Sequence, residues 1–393
     1  MITAPNSLSE VIGNPYPLKQ NAGKSFQGSI VLGKGFVLSP EEAERLIAKD
    51  PRNNDVLFPY LNGEDLNNDP RQKASRWVIN FFDWSEEKAR TYPDCFAIIE
   101  HLVKPERMKQ NDKGGKQKWW QFLRPRNELY ETISKLDQVM AIALTSKTVA
   151  IAMLPANQVF SHSLGIFSNT NKSHFAYLQS TIHNVWAWSY GSSMKSDLRY
   201  TPSVCFETFP FPQDADDQLL KQVAEIGTEY ELFRRNLMHH FQIGLTKIYN
   251  LFHESTIITI DSSDENMDDK AFIKKYGKDC FWLQKHLKAL TISYNEAVQK
   301  IGELRELHIR MDNIVLKAYG WTDIKLEHSF YEQDHLPEND KIRFTLHPSA
   351  RKDLQKRLTT LNHQLYARDM TRLSEINIRS SKIVPNENTL TLF

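Results

Sequence analysis

The chain has 393 residues, with 49 Lys plus Arg against 48 Asp plus Glu, three cysteines, 40% hydrophobic and 25% charged residues. At roughly 150 residues per domain this length suggests two or three domains, and the composition argues against disorder, collagen or a pure coiled coil. A formal net charge of +1 excludes recognition of nucleic acid or membrane by overall charge, so any such surface must be local.

Cys95, Cys205 and Cys280 are odd in number and far apart, which supports neither a disulfide framework nor a Cys-only zinc site and points to a reducing compartment. The first residues lack the basic and apolar regions of a secretory signal, and no apolar run approaches the roughly 18 residues of a membrane span. The expectation is a soluble, cytoplasmic protein with no membrane partner.

Residues 1–25 are rich in Pro, Asn, Ser and Gly and read as a linker. From 26 to 212, short apolar runs alternate with turn clusters: Ser29–Leu32, Arg76–Phe82, Val139–Leu144, Val149–Leu154 and Leu164–Phe167 have the length of buried strands. Ser39-Pro40-Glu41-Glu42 marks a helix start running to Lys49. Phe175 to Trp188 suits one helix with Leu178, Ile182 and Val185 on its buried face.

Thr208-Phe209-Pro210-Phe211-Pro212 can continue neither a helix nor a central strand and is the natural domain boundary. Beyond it, stripes at Leu219, Val223, Ile226, Tyr230 and onward, and at Leu283, Leu287, Leu290, Tyr294 and onward to Val315, predict long amphipathic helices packed antiparallel. Asp261 to Lys270 reads as a solvated loop, Pro348 to about Ile376 as a last helix, and the remainder from about 377 as a flexible tail. The expected architecture is an α/β (α+β) domain over 26–212, followed by an all-α helical domain over 213–393.

Most chemical motifs fail on inspection. Asn21-Ala22-Gly23-Lys24-Ser25 lacks the first glycine and the preceding strand of a phosphate-binding loop. Glu86-Glu87-Lys88 lacks the distant Asp of a metal-dependent nuclease and suits a helix start better. His239 and His240 point about 100° apart on a helix, and no spacing joins them and His253 to further ligands.

The strongest charge signal is Lys104 to Arg126, which holds eight basic residues, Lys116, Lys118, Arg124 and Arg126 among them, against Glu106 and Asp112, interleaved with Trp119, Trp120 and Phe122. Such a segment suits a phosphate backbone; the competing reading is a solvated loop whose tryptophans enter the core. Arg199 and Tyr200 either contact phosphate or stitch the chain to the domain boundary.

The order of these blocks resembles the C-terminal half of MmeI-like, type IIG and IIL adenine-specific DNA methyltransferases of restriction-modification systems. The resemblance rests on Asn14-Pro15-Tyr16, Phe58-Pro59-Tyr60-Leu61-Asn62-Gly63-Glu64-Asp65, Arg76 to Phe81, Trp119 to Arg126, and above all the run from His183-Asn184-Val185-Trp186 through Leu198-Arg199-Tyr200-Thr201-Pro202 to Phe209-Pro210-Phe211-Pro212. Gly244 to Leu251 and Leu304 to Trp321 resemble the family's helical region.

The resemblance implies a target-recognition domain that holds double-stranded DNA in register while a separate catalytic domain flips the adenine. The chain lacks the family's glycine-rich S-adenosylmethionine loop and Asn-Pro-Pro-Tyr motif, so no cofactor is expected in it. S-adenosylmethionine is expected in the missing catalytic domain, carried by a methyltransferase partner subunit.

Carried over by position, base-reading residues fall at Thr145, Ser146, Lys147 and Thr148, and from Asn157 and Gln158 to Ser161 and His162. Lys147 can donate to guanine, and Asn157 or Gln158 can bond adenine. The alternative is a helical protein interaction module, or a non-functional remnant of a truncated methyltransferase gene.

Overall fold

In the computed structural model, which describes residues 13–194, 197–264 and 267–382, the apolar run at 138–143 forms the central strand of the main sheet. The strands in chain order are β1 Ser25–Gln27, β2 Val37–Leu38, β3 Leu57–Leu61, β4 Arg76–Ile79, β5 Gln138–Ala143, β6 Thr145–Ser146, β7 Ala152–Pro155, β8 Val159–Phe160, β9 Leu164–Phe167, β10 Ser192–Met194, β11 Asp197–Arg199, β12 Ser329–Glu332 and β13 Ile342–Thr345. The main sheet has the order β1-β9-β5-β7, antiparallel throughout. All residues of β5 after Gln138 are buried, because both sheet faces are covered; hence the continuous apolar run in place of alternation.

A second sheet, β2-β4-β3-β8, carries its own core of Phe36, Val78, Phe81, Phe96, Trp119 and Phe122 among others. The Pro40–Lys49 helix packs beside it, and its start is a capping box in which Ser39 Oγ accepts from Glu42 N–H at 3.2 Å and Glu42 accepts from Ser39 N–H at 2.7 Å.

Several sequence expectations change. The run Ser29–Leu32 makes only isolated bridges, Ser29 to Ser161 and Ile30 to Arg124, because Leu32 at φ 43° and Gly33 at φ 138° turn the chain away. β3 arises unforeseen around Pro59, which is accommodated because pairing with β8 spans only Tyr60 and Leu61 and leaves Pro59 on an open edge. The single helix expected from Phe175 is two, Lys172–Gln179 and Thr181–Tyr190, divided at Ser180, whose extended backbone and Oγ cap the second.

The second half is dominated by the Asp217–Phe241 and Tyr294–Ala318 helices, antiparallel as their contacts require: Glu229 pairs with Arg310 at 2.9 Å and His240 with Glu296 at 3.3 Å. It is not all-α, since β12 and β13 form a hairpin with Phe330 opposite Phe344. The cross-strand pair of Phe330 and Phe344, ring centroids 5.4 Å apart, favours that pairing. The last helix, Pro348–Lys382, runs beyond its expected end.

One hydrophobic cluster extends from Leu61 to Leu358 and joins β5, β7 and β9 to the long helices. Thr208–Pro212 passes through it with Phe209 and Phe211 buried. Residues 14–25, although mostly exposed, are anchored to the body of the protein. Tyr16 stacks on Tyr366 with ring centroids 4.3 Å apart, Asn362 brackets the Tyr16 main chain at 2.9 and 2.8 Å, and the buried Asn21 amide donates to the Phe206 and Phe209 carbonyls at 3.0 and 2.8 Å. The start of the expected linker, residues 1–12, and the end of the expected tail, 383–393, lie outside the described residues. Among the described residues no helix is long and apolar enough to cross a membrane.

The two halves are also tied by a buried polar chain. Asp312 accepts from Thr181 N–H at 2.8 Å and lies 2.8 Å from His328 Nε2, while His308 bridges Thr181 Oγ1 at 2.9 Å and the Tyr230 hydroxyl at 3.2 Å. Burial pushes the Asp312 carboxyl up, but His308, His328 and the hydrogen bonds outweigh it and hold the group below the usual carboxylate range.

Candidate nucleic-acid interface

Four chain segments converge at the Ala143 end of β5. Leu144 N–H donates to the Ser163 carbonyl at 2.9 Å, Tyr200 N–H to the Leu144 carbonyl at 2.8 Å, Ser161 N–H to the Leu61 carbonyl at 2.8 Å and His162 N–H to the Ser29 carbonyl at 2.9 Å. β6 pairs with β11 so that Thr145 stands opposite Arg199. A Cβ at Gly28 would lie 2.2 Å from the Ser161 carbonyl oxygen, so this crossing admits only glycine.

The result is an open groove of about 740 Å³ whose lining includes Gln27, Asn67, Asn68, Thr145, His162 and Arg199. The Gln27 amide is fixed at both ends, with Nε2 donating to the His162 carbonyl at 2.8 Å and Oε1 accepting from Arg126 at 3.0 Å. Arg126 therefore stands behind the groove, on a residue at φ 62° that opens the Asn127–Ile133 helix. Asn67 and Asn68 end the Gly63–Asn68 helix, which Asn62 caps by accepting from Glu64 and Asp65 N–H at 2.7 and 3.0 Å. Arg199 is exposed and makes no ion pair among the described residues.

Tyr200 is a correction. It is 1% exposed, and its hydroxyl shares a 3.0 Å hydrogen bond with His183 Nε2, so it supports β11 from beneath and cannot contact phosphate. His183 is wholly buried and packs edge-on against Phe209 with ring centroids 4.5 Å apart. Burial drives its pKa down to about 3 and that of Tyr200 well above the usual phenol value, leaving an uncharged floor.

The remaining candidates sit elsewhere. Lys147 is ion-paired with Asp340, from the loop between β12 and β13, and Ser146 Oγ accepts from Thr148 N–H at 3.2 Å within the same turn. Asn157 and Gln158 follow β7, which ends opposite Gln138 at the other end of β5, and line a second groove. Lys116 lies on the short Lys113–Gln117 helix, with exposed Lys118 just beyond.

The aromatics beside those lysines are structural. Trp119 and Phe122 are buried, Trp120 donates from Nε1 to the Trp84 carbonyl at 2.9 Å, and Arg107 is buried against the Val31 and Gln121 carbonyls. Arg124 is exposed where its main chain bridges to Ile30. The structure thus unites Thr145, His162 and Arg199 with Arg126 behind them, and separates Lys147, Asn157, Gln158, Lys116 and Lys118 from that groove. Sequence reasoning missed Gln27, Asn67 and Asn68; only the Asn62 cap with its acidic residues, which places a short helix there, hinted at the last two.

Amide, hydroxyl, imidazole and guanidinium groups offer donors and acceptors suited to base edges. Among the described residues no group of three or more His, Cys, Asp or Glu could hold a metal. The chain's one Gly-x-Gly, Gly33 and Gly35, is filled by protein, with a Cβ on Gly35 falling 2.4 Å from Leu102 Cβ.

Residues 17–213, just over half the chain, match the family model "MmeI, target recognition domain". The solved type IIL restriction-modification enzyme MmeI in complex with DNA is similar in fold, with a TM-score of 0.54 and 15% identity over 93% of this chain and 37% of that one. This chain therefore spans well under half the length of that enzyme. The type IIG restriction endonuclease BpuSI gives 13% identity over 76% of this chain and 31% of its own, at a TM-score of 0.28, too low to bear on the fold. No curated protein sequence matches the chain.

Proposed function

Because the chain belongs to the MmeI target recognition domain family, we propose that it is the sequence-reading module of an adenine-specific DNA methyltransferase of the restriction-modification type. It binds duplex DNA through the groove lined by Gln27, Asn67, Asn68, Thr145, His162 and Arg199. The observation that carries this is convergence: six side chains suited to base edges, from segments as far apart as Gln27 and Arg199, meet on a backbone fixed by cross-segment hydrogen bonds. Arg199 suits the O6 and N7 acceptors of guanine, and the amides suit adenine. Exposed Lys118 and Arg124, with half-buried Lys116 beside them, suit phosphates, which set orientation without carrying sequence information.

Methyl transfer belongs in this reading to a catalytic methyltransferase domain or subunit that binds S-adenosylmethionine. This chain's residues contribute the register of the duplex and no step of the chemistry.

The test is selection from a randomised duplex library with the purified chain, at physiological and at low salt. Enrichment of one short motif, with Arg199→Ala relaxing a single position of it, is the expected result. Retention that is salt-sensitive but free of any motif in both proteins overturns the reading-groove assignment.

A further inference from the structure

We propose that the second groove, around Arg71 and Lys73, is a separate phosphate-binding surface that grips the duplex beyond the stretch being read. The proposal rests on the DNA-recognition reading above and assigns a second surface to the same ligand.

This groove encloses about 780 Å³, and Arg71, Lys73, Arg235 and His239 line it together with Asn157 and Gln158. No carboxylate is among its described lining residues. Arg235 is paired with Glu231, so the uncompensated charge comes from Arg71 and Lys73, both exposed and without an ion pair among the described residues. Their turn is rigid: Asp69 Oδ1 accepts from Arg71 N–H at 2.9 Å and from Lys73 N–H at 3.0 Å, Gln72 takes φ 54°, and Gln72 Nε2 donates to the Leu66 carbonyl at 3.2 Å. The carboxylate nearest the two cations is thus engaged by main-chain amides, while the cationic heads stay in solvent.

The contrast between the grooves sets the roles. The reading groove contains both Arg199 and Glu64, and amide and hydroxyl side chains share the rest of its lining with Ala143, Leu144 and Pro202, which suits base edges and the thymine methyl. The second groove is cationic and acid-free, which suits a backbone carrying one charge per roughly 1.7 Å of duplex axis.

Although their centres lie at opposite ends of β5, the two grooves approach each other at one margin. Asn68 lines the first groove and Arg71 the second, and three residues of chain span at most about 10 Å. A duplex seated over Asn67 and Asn68 passes the Arg71 turn within a few base pairs. Asn157 and Gln158 then meet backbone oxygens.

The experiment measures the salt dependence of binding of the full chain to a labelled duplex of random sequence. Three proteins are compared: wild type, Arg71→Glu with Lys73→Glu, and a control, Lys288→Glu with Lys325→Glu, which makes the same change in net charge at exposed sites elsewhere. The groove variant is expected to bind about tenfold more weakly, with a slope of log K against log salt shallower by about 1.8, two phosphates at about 0.9 each. An unchanged thermal midpoint shows that it is folded.

If wild type binds but the groove variant behaves as the control does, the second groove is overturned and the reading groove stands. If wild type retains no duplex even at low salt, both assignments fall.

Discussion

Lowering the pH from 7 to 5 should loosen the floor of the reading groove through one residue, His183. It is fully buried, its Nδ1 has no partner, and burial holds its folded-state pKa near 3. An unfolded histidine titrates near 6.5, so below that pH the unfolded chain takes up a proton that the folded chain refuses. The stability lent by the neutral ring is whole above about pH 6.5 and is lost as pH falls, at about 1.4 kcal/mol per pH unit, reaching about 2 kcal/mol at pH 5. Urea unfolding of wild type and His183→Gln at both values isolates this contribution from every other titrating group. Wild type should lose about 2 kcal/mol more than the variant over that interval. Equal losses in the two proteins would refute the reasoning, because the buried imidazole would then not be the group refusing the proton.

Gly28→Ala places a Cβ where 2.2 Å separates it from the Ser161 carbonyl oxygen, and relief requires β1 to part from the His162 loop. A loss of about 1–3 kcal/mol in urea unfolding is expected, together with weaker motif binding, because Gln27 loses its hold on the His162 carbonyl. Asn21→Ala leaves the Phe206 and Phe209 carbonyls without their buried donor and should cost about 2–3 kcal/mol, read as a lower urea midpoint. Asp340→Asn frees Lys147 from its ion pair. The same substitution takes away the carboxylate 3.0 Å from the buried Arg343 guanidinium, so a loss of about 1–3 kcal/mol is expected in urea unfolding, while the salt slope of duplex binding steepens by up to about 0.9 if Lys147 then reaches a phosphate.

The sequence was most legible where a local rule was also the structural cause. Ser39 and Glu42 cap a helix because their side chains reach each other's main chain, and Leu164–Phe167 is a strand at its predicted bounds. Illegibility arose where a contact between distant segments decides the outcome. β3 exists in spite of Pro59 because β4 pairs with it along Leu57 to Tyr60, and no window around Pro59 contains β4. The β12–β13 hairpin was hidden for the same reason. Among candidate site residues, Thr145 and His162 follow from position in a family pattern and Arg199 from its charge near the domain boundary, whereas Gln27 belongs to a supposed linker edge and Asn67 to a capped turn. Of the two readings of Tyr200 the phosphate contact falls, because a tyrosine beside an exposed arginine alternates inward in a strand, and only the presence of His183 beneath it shows what its hydroxyl does.

That division between fixed backbone and free side chain bears on how such a groove can serve recognition. Main-chain bonds from Leu144, Ser161, His162 and Tyr200, together with the Gly28 crossing, set the walls. The side chains of Thr145, His162 and Arg199 are exposed and contribute little to the core. Exposed substitutions away from such anchors usually alter stability by less than about 0.5 kcal/mol, whereas one good bidentate base contact discriminates by about 1–3 kcal/mol. If the proposed groove is the reading surface, specificity is open to rewriting at these three positions at almost no structural cost. The same change at Gly28, Tyr200 or His183 would damage every specificity alike, because it moves the frame on which the reading side chains stand.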